Sequence, residues 1–499
     1  SGDALTTGNS NVALGYQALT TNTASHRNTS VGEFSLMTMN ITSDTNGYNT
    51  AMGYSAGAAI TTGVQNTIMG GLAGDALTDA DHNVAVGYGA LSTDTKGNKS
   101  VAIGREALEN QNFTSATDTQ NVAVGNKAGN AVTTAQYSTL IGATSGLAIT
   151  TGSENTAVGY RALLTETTGI RNTAIGYQAL KTQNKTDGSA LYNVGLGYNA
   201  GASTTDGGTN TFLGSLTGTA NTSGNDNTFV GYSAGNDVTT GTQNTLIGSG
   251  AGDSFTDADK NVALGYLALT GDTQGSRSTA IGQGALKVQN FTSATNADNT
   301  AVGNDAGRSI TTAIRAVLIG SFAGKNITDG NNNICIGYDA GSSVTTGTEN
   351  VFVGSFAGDG TDDGAYNTAL GYAALTSNAG NSNTAVGNNA LSNCTNSDNT
   401  AMGQNAGENI TSGTNNLFLG HDAGITGSPG GNLTTQSNRV IIGDENIQAI
   451  FAAVSTIDTS DQRDKTDFND LDVGLDFVNA LKPVTYKWDK RSKYGDKYA

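Results

Sequence analysis

The sequence is poor in the residues that most often build small folds and catalytic sites. Its 499 residues include two prolines, two cysteines, one tryptophan and three histidines, and only 13% are charged. Two cysteines do not make a disulfide scaffold. His26, His82 and His421 lack the spacing of metal ligands and are interpreted as solvated turn residues. No run of 18 apolar residues is present, which excludes a membrane-spanning helix. We therefore expect no cofactor, no metal site and no membrane insertion.

Basic residues are also scarce, with 24 Lys and Arg against 42 Asp and Glu and a net charge of −18. Nucleic-acid binding needs basic patches, so nucleic acid is not an expected partner. Acidic groups such as Asp79–Asp81 and Asp362–Asp363 are interpreted as turns, because no EF-hand spacing exists; calcium binding by these turns stays open. No carboxylate pair for glycan hydrolysis can be singled out among them.

Glycine, in contrast, is abundant, with 69 residues, and much of it belongs to one repeat. The stretch Asn155–Leu163 reads Asn-Thr-Ala-Val-Gly-Tyr-Arg-Ala-Leu, and variants recur along the chain. Successive motif glycines are 17 residues apart, 21 after Gly32, Gly104, Gly176 and Gly282, and about 16 near Gly387. A fixed period of this length indicates a solenoid, and the short β-branched run before each glycine predicts a strand. We expect an all-β parallel β-roll or β-solenoid of about 24 coils, with a second short strand and turns between the motifs. The motif glycines are residues 15, 32, 53, 70, 87, 104, 125, 142, 159, 176, 197, 214, 231, 248, 265, 282, 303, 320, 337, 354, 371, 387, 403, 420 and 443.

Four positions of the coil are named here by their distance from the motif glycine. The outer site, directly before it, is aliphatic or Met in all 25 coils; the ladder site, four before it, is Asn in 20. Stacked Asn side chains are expected to form an amide ladder. The inner site lies two before the glycine and the slot site four after it. In the 24 coils before the degenerate Gly443 coil, a large inner-site residue such as Phe229 occurs with Gly at the slot site; where the slot site is Leu, as in Leu163, the inner site is Ala, or Ser once. This covariation indicates one shared space and two coil types: two Leu-type coils, then two or four Gly-type coils.

The two faces of the repeated strand are both apolar. The inner and outer sites are adjacent in a strand, so their side chains point to opposite faces. One coil covers only one face, and a strand that is apolar on both sides must be covered on both. We therefore predict a homo-oligomer, with threefold symmetry favoured.

The chain divides into three segments. Residues 1–425 form the repetitive rod, with coils from residue 9; residues 426–459 contain a terminal strand and an apolar neck; and residues 460–499 differ sharply in composition. Within the last segment, a helical face of Leu471, Leu475 and Val478 precedes a strand at 483–488, which predicts a small α+β part. Cys335 and Cys394 are predicted to be free thiols. Residues 75–117 reappear as 253–295, which indicates internal duplication.

Two resemblances follow from these motifs. The coils, over 80% of the chain, resemble the parallel β-roll heads of trimeric autotransporter adhesins, since Ser100–Gly104 reads Ser-Val-Ala-Ile-Gly. Ser460–Thr466 (Ser-Asp-Gln-Arg-Asp-Lys-Thr) and Leu481–Trp488 resemble the start of the endosialidase-type intramolecular chaperone of phage tail fibres and tailspikes. That resemblance implies a module that trimerises the chain and then cuts itself off. It implies Ser460 as nucleophile, Lys465 as its assisting group and Asp461 as the first released residue. The alternative is that Ser460 is a linker residue in an uncut copy.

These features favour a viral structural fibre, from a phage tail or capsid, that attaches to a host-surface glycan or protein. Its expected partners are further copies of itself and other virion tail components, and its expected location is the virion surface or extracellular. No substrate-turnover enzyme is expected, at most single-turnover self-cleavage of the Ser-Lys type. The alternatives are a cellular trimeric surface adhesin or extracellular filament, a tailspike depolymerase and an ice-binding solenoid. A depolymerase would need a catalytic insertion, and the repeat is not interrupted.

Overall fold

A computed structural model describes residues 1–451, and its compact unit Ser1–Asn446 is a parallel β-solenoid. One three-residue strand per coil forms a parallel sheet of 25 strands. Each strand pairs with its counterpart in the next coil; for example, Ala157 aligns with Ala174. The expected all-β solenoid is confirmed, and residues 1–451 contain no helix that could cross a membrane. The sheet strands are β1 Val12–Leu14, β2 Thr29–Val31, β3 Thr50–Met52, β4 Thr67–Met69, β5 Val84–Val86, β7 Val101–Ile103, β9 Val122–Val124, β10 Thr139–Ile141, β11 Thr156–Val158, β12 Thr173–Ile175, β13 Val194–Leu196, β14 Thr211–Leu213, β15 Thr228–Val230, β16 Thr245–Ile247, β17 Val262–Leu264, β19 Thr279–Ile281, β21 Thr300–Val302, β22 Val317–Ile319, β23 Ile334–Ile336, β24 Val351–Val353, β25 Thr368–Leu370, β26 Thr384–Val386, β27 Thr400–Met402, β28 Leu417–Leu419 and β29 Val440–Ile442.

The second short strand that we expected in every coil is wrong for most of the 17-residue coils, whose remaining residues form turns and bends. Additional strands occur where a 21-residue coil lies against the coil before it. They are β6 Gly97–Asn98 with β8 Thr117–Asp118, and β18 Gly275–Ser276 with β20 Thr295–Asn296. Single bridges join His26 to Asn46 and Ile170 to Ala190 in the other two long coils. The four extra residues are therefore used to build a local two-stranded pairing. The predicted α+β part at 460–499 lies outside the described residues.

The motif glycine is required by the close stacking of the coils. Gly231 has φ of +130°, and a β-carbon added there would stand 2.7 Å from the carbonyl carbon of Gly248 in the next coil. Both the backbone conformation and the contact exclude a larger residue. All 23 motif glycines from Gly15 to Gly403 make this contact with the next coil, which accounts for the recurrence of glycine at this position.

The predicted amide ladder is present and binds the backbone as well as its own side chains. Asn155 Oδ1 accepts a hydrogen bond from the backbone N–H of Asn172 (3.0 Å) and one from its Nδ2 (3.1 Å). Asn155 Nδ2 in turn donates to the backbone oxygen of Gly169 at 2.8 Å. Asn155 is fully buried. Its amide thus satisfies backbone groups of the next coil that would otherwise be buried without partners.

The shared slot is also confirmed. Phe229 is fully buried, and a β-carbon on Gly235 would lie 2.7 Å from its ring and 2.9 Å from Leu246 Cδ1. Leu163 fills the same site with φ of +51°, close to the +56° of Gly235. The backbone is therefore the same in both coil types, and only side-chain volume differs. Within one coil of residues 1–425, the inner site and the slot site are never both large, because one filled space cannot take a second large side chain.

Three of the five pairs of Leu-type coils also carry a polar contact in the core, at a position seven residues after the glycine that we call the late site. Asp94, fully buried, accepts hydrogen bonds from the backbone N–H groups of Gly97 (3.1 Å) and Phe113 (3.0 Å), and from Gln111 Nε2 (2.6 Å). Gln111 Oε1 accepts from Asn121 Nδ2 at 2.9 Å, which connects the pair to the ladder. The contact recurs as Glu166 with Gln183 and as Asp272 with Gln289. These buried carboxylates hold the long coil against the coil before it.

Candidate functional site: an uncovered apolar face and its two edges

The solenoid leaves one apolar face of its sheet uncovered. In strand β11, Ala157 is buried while Thr156 and Val158 are half-buried and face outward, and the pattern repeats in the other coils. We call the two outward columns, the residues one and three before each glycine, the apolar stripe. In all 25 coils the first column is Val, Leu, Ile or Met and the second is Thr, Val, Ile or Leu. Fifty stacked side chains therefore include no charge, in a chain whose net charge is −18.

The size of the stripe sets it apart from ordinary surface apolar residues. With a spacing of about 4.8 Å per coil, the 25 strands span roughly 115 Å along the stack, and the three residues of one strand span about 10 Å along that strand. The stripe therefore covers on the order of 1,100 Å², whereas the largest apolar patch of a soluble monomer is about 300–600 Å². A patch of this size marks an interaction surface. The prediction that the outer sites form a second apolar face is confirmed by their exposure.

Two columns of aromatic and charged side chains border the stripe. The trailing edge is the residue directly after each glycine, and the leading edge is the residue five before it. All 14 tyrosines of residues 1–451 lie on these two edges, ten on the trailing edge and four on the leading edge. All of them are exposed. The trailing-edge tyrosines are residues 16, 54, 88, 160, 177, 198, 232, 266, 338 and 372, and the leading-edge tyrosines are residues 48, 137, 192 and 366.

Contacts within each edge keep these rings in line. On the trailing edge, the rings of Tyr160, Tyr177 and Tyr198 stack with centroids 5.5 and 5.2 Å apart. On the leading edge, Arg171 Nη1 donates to Tyr192 Oη at 3.0 Å and its Nε to Glu154 at 2.9 Å. The guanidinium of Arg171 lowers the pKa of Glu154, so the carboxylate stays ionised. The edges are therefore ordered columns on which aromatic rings are held at defined heights.

The buried polar pairs of the core were missed by sequence reasoning, which treated the acidic residues as turn residues. Asp94, Glu166 and Asp272 carry no signal on their own, since Asp and Glu are also common in the turns. What distinguishes them is their position relative to the long coils. They occupy the late site of a coil that is followed by a long coil, and Gln occupies the late site of that long coil.

The prediction for the two cysteines is confirmed, whereas the prediction for His26 is wrong. Cys335 and Cys394 are free, as predicted, and both are buried; burial raises the pKa of Cys335 to about 12. The prediction that His26 is a solvated turn residue is wrong, because its side chain is only 12% exposed. His26 Nδ1 accepts a hydrogen bond from the backbone N–H of Asn9 at 2.9 Å, and Nε2 contacts Asp44. Thus His26 fixes the first long coil.

The turn carboxylates and threonines bind the backbone of the stack. Asp81 Oδ1 accepts a hydrogen bond from the backbone N–H of Val64 at 2.8 Å. No cluster of three or more His, Cys, Asp or Glu that could hold a metal ion occurs within residues 1–451. Thr239 Oγ1 donates to the backbone oxygen of Thr256 at 3.0 Å, and Thr222 makes the same bond to Thr239 at 3.1 Å. These hydroxyl groups therefore serve the stacking of the coils.

Comparison with known families identifies the C-terminal segment. Residues 460–498 match the sequence model of a family described as chaperone of endosialidase, which confirms the predicted resemblance. No curated protein matches the chain. The match begins at Ser460, and Ser460, Asp461 and Lys465 all lie outside the described residues. Their roles in cleavage stay predictions. The chain thus combines a parallel β-solenoid with a C-terminal segment that matches the chaperone-of-endosialidase family.

Proposed function

We propose that the chain is the subunit of a homotrimeric viral fibre or tailspike that serves attachment to a host-cell surface. The observation that carries this proposal is the uncovered apolar stripe in a chain that also has a chaperone-of-endosialidase segment. About 800 Å² per partner suffices for a specific interface, and the stripe offers on the order of 1,100 Å² by the strand spacings. Other copies of the chain match its length and period. The virion surface is the proposed location, and a host glycan or protein the proposed receptor.

The trimer is tested by charging the stripe in the full-length protein. Leu196 and Leu213 are exposed outer-site residues of consecutive coils. Replacing both with Asp places two carboxylates per chain in a desolvated interface, which costs several kcal/mol. We expect light scattering to give a trimeric mass for the wild type and loss of soluble trimer for the double variant. Thr151→Asp, in an exposed turn away from the stripe, is the control and should leave the mass unchanged. A stable, soluble wild-type monomer would refute the assembly.

We further propose that the C-terminal module aligns the chains and is then removed between Ser460 and Asp461. Similar coils repeat along the rod, so a chain displaced by one coil would bury almost the same surface, and an alignment device is needed. Once it has aligned the chains, the module is dispensable, and its loss makes assembly kinetically irreversible. Ser460 Oγ would attack the carbonyl carbon of the Ser460–Asp461 peptide bond, and Lys465 would take the hydroxyl proton and pass it to the leaving amine of Asp461. Water would then hydrolyse the ester and leave a free carboxylate on Ser460.

The cut is tested by mass spectrometry of the full-length protein. We expect one fragment that ends at Ser460 and another that begins at Asp461. Ser460→Ala and Lys465→Ala should each leave the chain intact and still trimeric. Intact wild-type chains, or continued cutting in Ser460→Ala, would leave Ser460 as a linker residue.

A further inference from the structure

We propose that neighbouring copies meet edge to edge and at equal height, with the trailing edge of one copy against the leading edge of the next. This inference rests on the proposed homotrimer and adds the residues that connect its chains. It is argued from where the tyrosines stand, because all 14 in the described chain border the stripe and each is exposed.

The geometry of a cyclic assembly pairs unlike edges. When the symmetry axis runs parallel to the rods, the contact between copies is heterologous, so each copy offers one edge to its first neighbour and the other edge to its second. Rotation about that axis moves no residue along the rod. Position five before a glycine in one copy therefore faces the position after the same glycine in the next copy. Two different columns thus form one seam between adjacent chains.

The residue types on the two edges fit such a seam. Tyrosine is enriched in protein interfaces, where its ring is buried and its hydroxyl reaches water or a polar partner. Three coils carry tyrosine on both edges: Tyr48 with Tyr54, Tyr192 with Tyr198, and Tyr366 with Tyr372. Arg27 and Glu33 stand on opposite edges of another coil, which provides a cross-chain ion pair. In the Gly142 coil, however, Tyr137 is opposite Ala143.

The two rings of such a coil are separated within one chain by the width of the stripe. The three-residue strand between them is about 10 Å long, and none of the aromatic contacts within residues 1–451 joins Tyr48 to Tyr54 or Tyr366 to Tyr372. Instead, Tyr54 and Tyr372 contact the phenylalanines Phe34 and Phe356. A covalent link between Tyr48 and Tyr54, or between Tyr366 and Tyr372, therefore reports a contact between chains.

Dityrosine coupling of the assembled full-length protein tests the seam. Brief illumination with a ruthenium photosensitiser and persulfate oxidises two phenols by one electron each, persulfate accepts the electrons, and the phenoxyl radicals join. We expect covalent dimers and trimers on a denaturing gel. Mass spectrometry should place the links at Tyr48–Tyr54, Tyr192–Tyr198 and Tyr366–Tyr372 and find none at Tyr137. Tyr48→Phe should abolish the first link alone, whereas Tyr137→Phe should change nothing; both variants keep the ring and its packing.

The pattern of links separates failure of the seam from failure of the trimer. A shift of one coil between chains would join Tyr137 to Tyr160 and leave Tyr48 and Tyr366 unlinked, and this would overturn equal height. A trimeric mass by light scattering without any link between chains would overturn the edge contact while leaving the trimer intact. A monomeric mass would overturn both.

Discussion

The Gly159 coil and the Gly231 coil have the same backbone and fill their cores in opposite ways. The first places Ala157 inside and Leu163 in the slot; the second places Phe229 inside and Gly235 in the slot. Both slot residues have left-handed backbones, with φ of +51° and +56°. The positive φ of the slot therefore does not explain its glycine, whereas the motif glycine four residues earlier is needed in both coils. The comparison shows that one repeat tolerates two cores as long as each space is filled once.

Transition coils sharpen this comparison, because they are small at both sites. The coil that follows each Leu-type pair has Ala or Gly inside and Gly in the slot, as in Gly195 and Gly201. A β-carbon on Gly201 would lie 2.5 Å from Phe212 in the next coil and 2.8 Å from Leu180 in the previous one. Large side chains of both neighbours reach into this coil. The filled space is thus shared along the stack as well as across the coil.

The largest effect is expected from emptying the space in a Gly-type coil. Phe229→Ala removes a fully buried ring and should lower the free energy of unfolding by about 3–5 kcal/mol per chain. Adding Gly235→Leu converts the coil to the Leu type and should recover part of the loss. Recovery is incomplete because Leu246 Cδ1 still stands 2.9 Å from the new β-carbon. Denaturant midpoints of the full-length protein measure both steps. A double variant no more stable than Phe229→Ala would refute the shared space.

A smaller effect is expected from the buried polar pair of a Leu-type coil. Asp94→Asn keeps an oxygen for the N–H groups of Gly97 and Phe113, but its amide nitrogen then faces the Gln111 amide nitrogen. The mismatch should cost about 1–3 kcal/mol.

The first Leu-type pair supplies the matched control, because it has Asn22 and Met39 at the same two late sites. There, Asn49 Nδ2 donates to Met39 Sδ at 3.7 Å. Asp94→Asn with Gln111→Met should therefore be more stable than Asp94→Asn alone, by denaturant midpoint or by hydrogen exchange of residues 111–121. An additive loss in the double variant would show that the pair is not coupled.

The smallest expected effect is a gain in stability. Asp253, in a Gly-type coil, has a buried Oδ1 without a hydrogen-bond partner in the described structure. Burial, and next the charge of Asp237, raise its pKa. A folded-state pKa above the unfolded value means that the ionised group opposes folding at neutral pH, and that this penalty fades as pH falls through the folded pKa. Asp253→Asn, which copies Asn236 of the preceding coil, should raise the melting temperature slightly at pH 7 and lose its advantage in acid. A gain in melting temperature of the same size at every pH would show that removal of the Asp253 charge is not its cause.

Much of the rod follows from its sequence because the repeat displays each constraint many times. Asn155, Phe229 and Gly235 are each one example of a position repeated in 25 coils, so chemistry and covariation were visible without a structure. The partner of Asp94 was not, because Gln111 is 17 residues away and equivalent carboxylates elsewhere serve turns. His26 was missed because its partner, Asp44, lies in an irregular long coil that the repeat pattern does not describe. Where the pattern is interrupted, nothing in the sequence says which side chains meet.

The spacing of the Leu-type pairs has a consequence for the length of the solenoid. The pairs begin at Gly15, Gly87, Gly159, Gly265 and Gly371, in steps of 72, 72, 106 and 106 residues. The two steps differ by 34 residues, which is two coils of 17 residues or about 10 Å of rod at the strand spacing. Since Gly-type coils stack on one another, such a unit enters or leaves without altering a core contact or the continuity of the stripe. Duplication can therefore change the length of the rod in steps of two coils while leaving its cross-section unchanged.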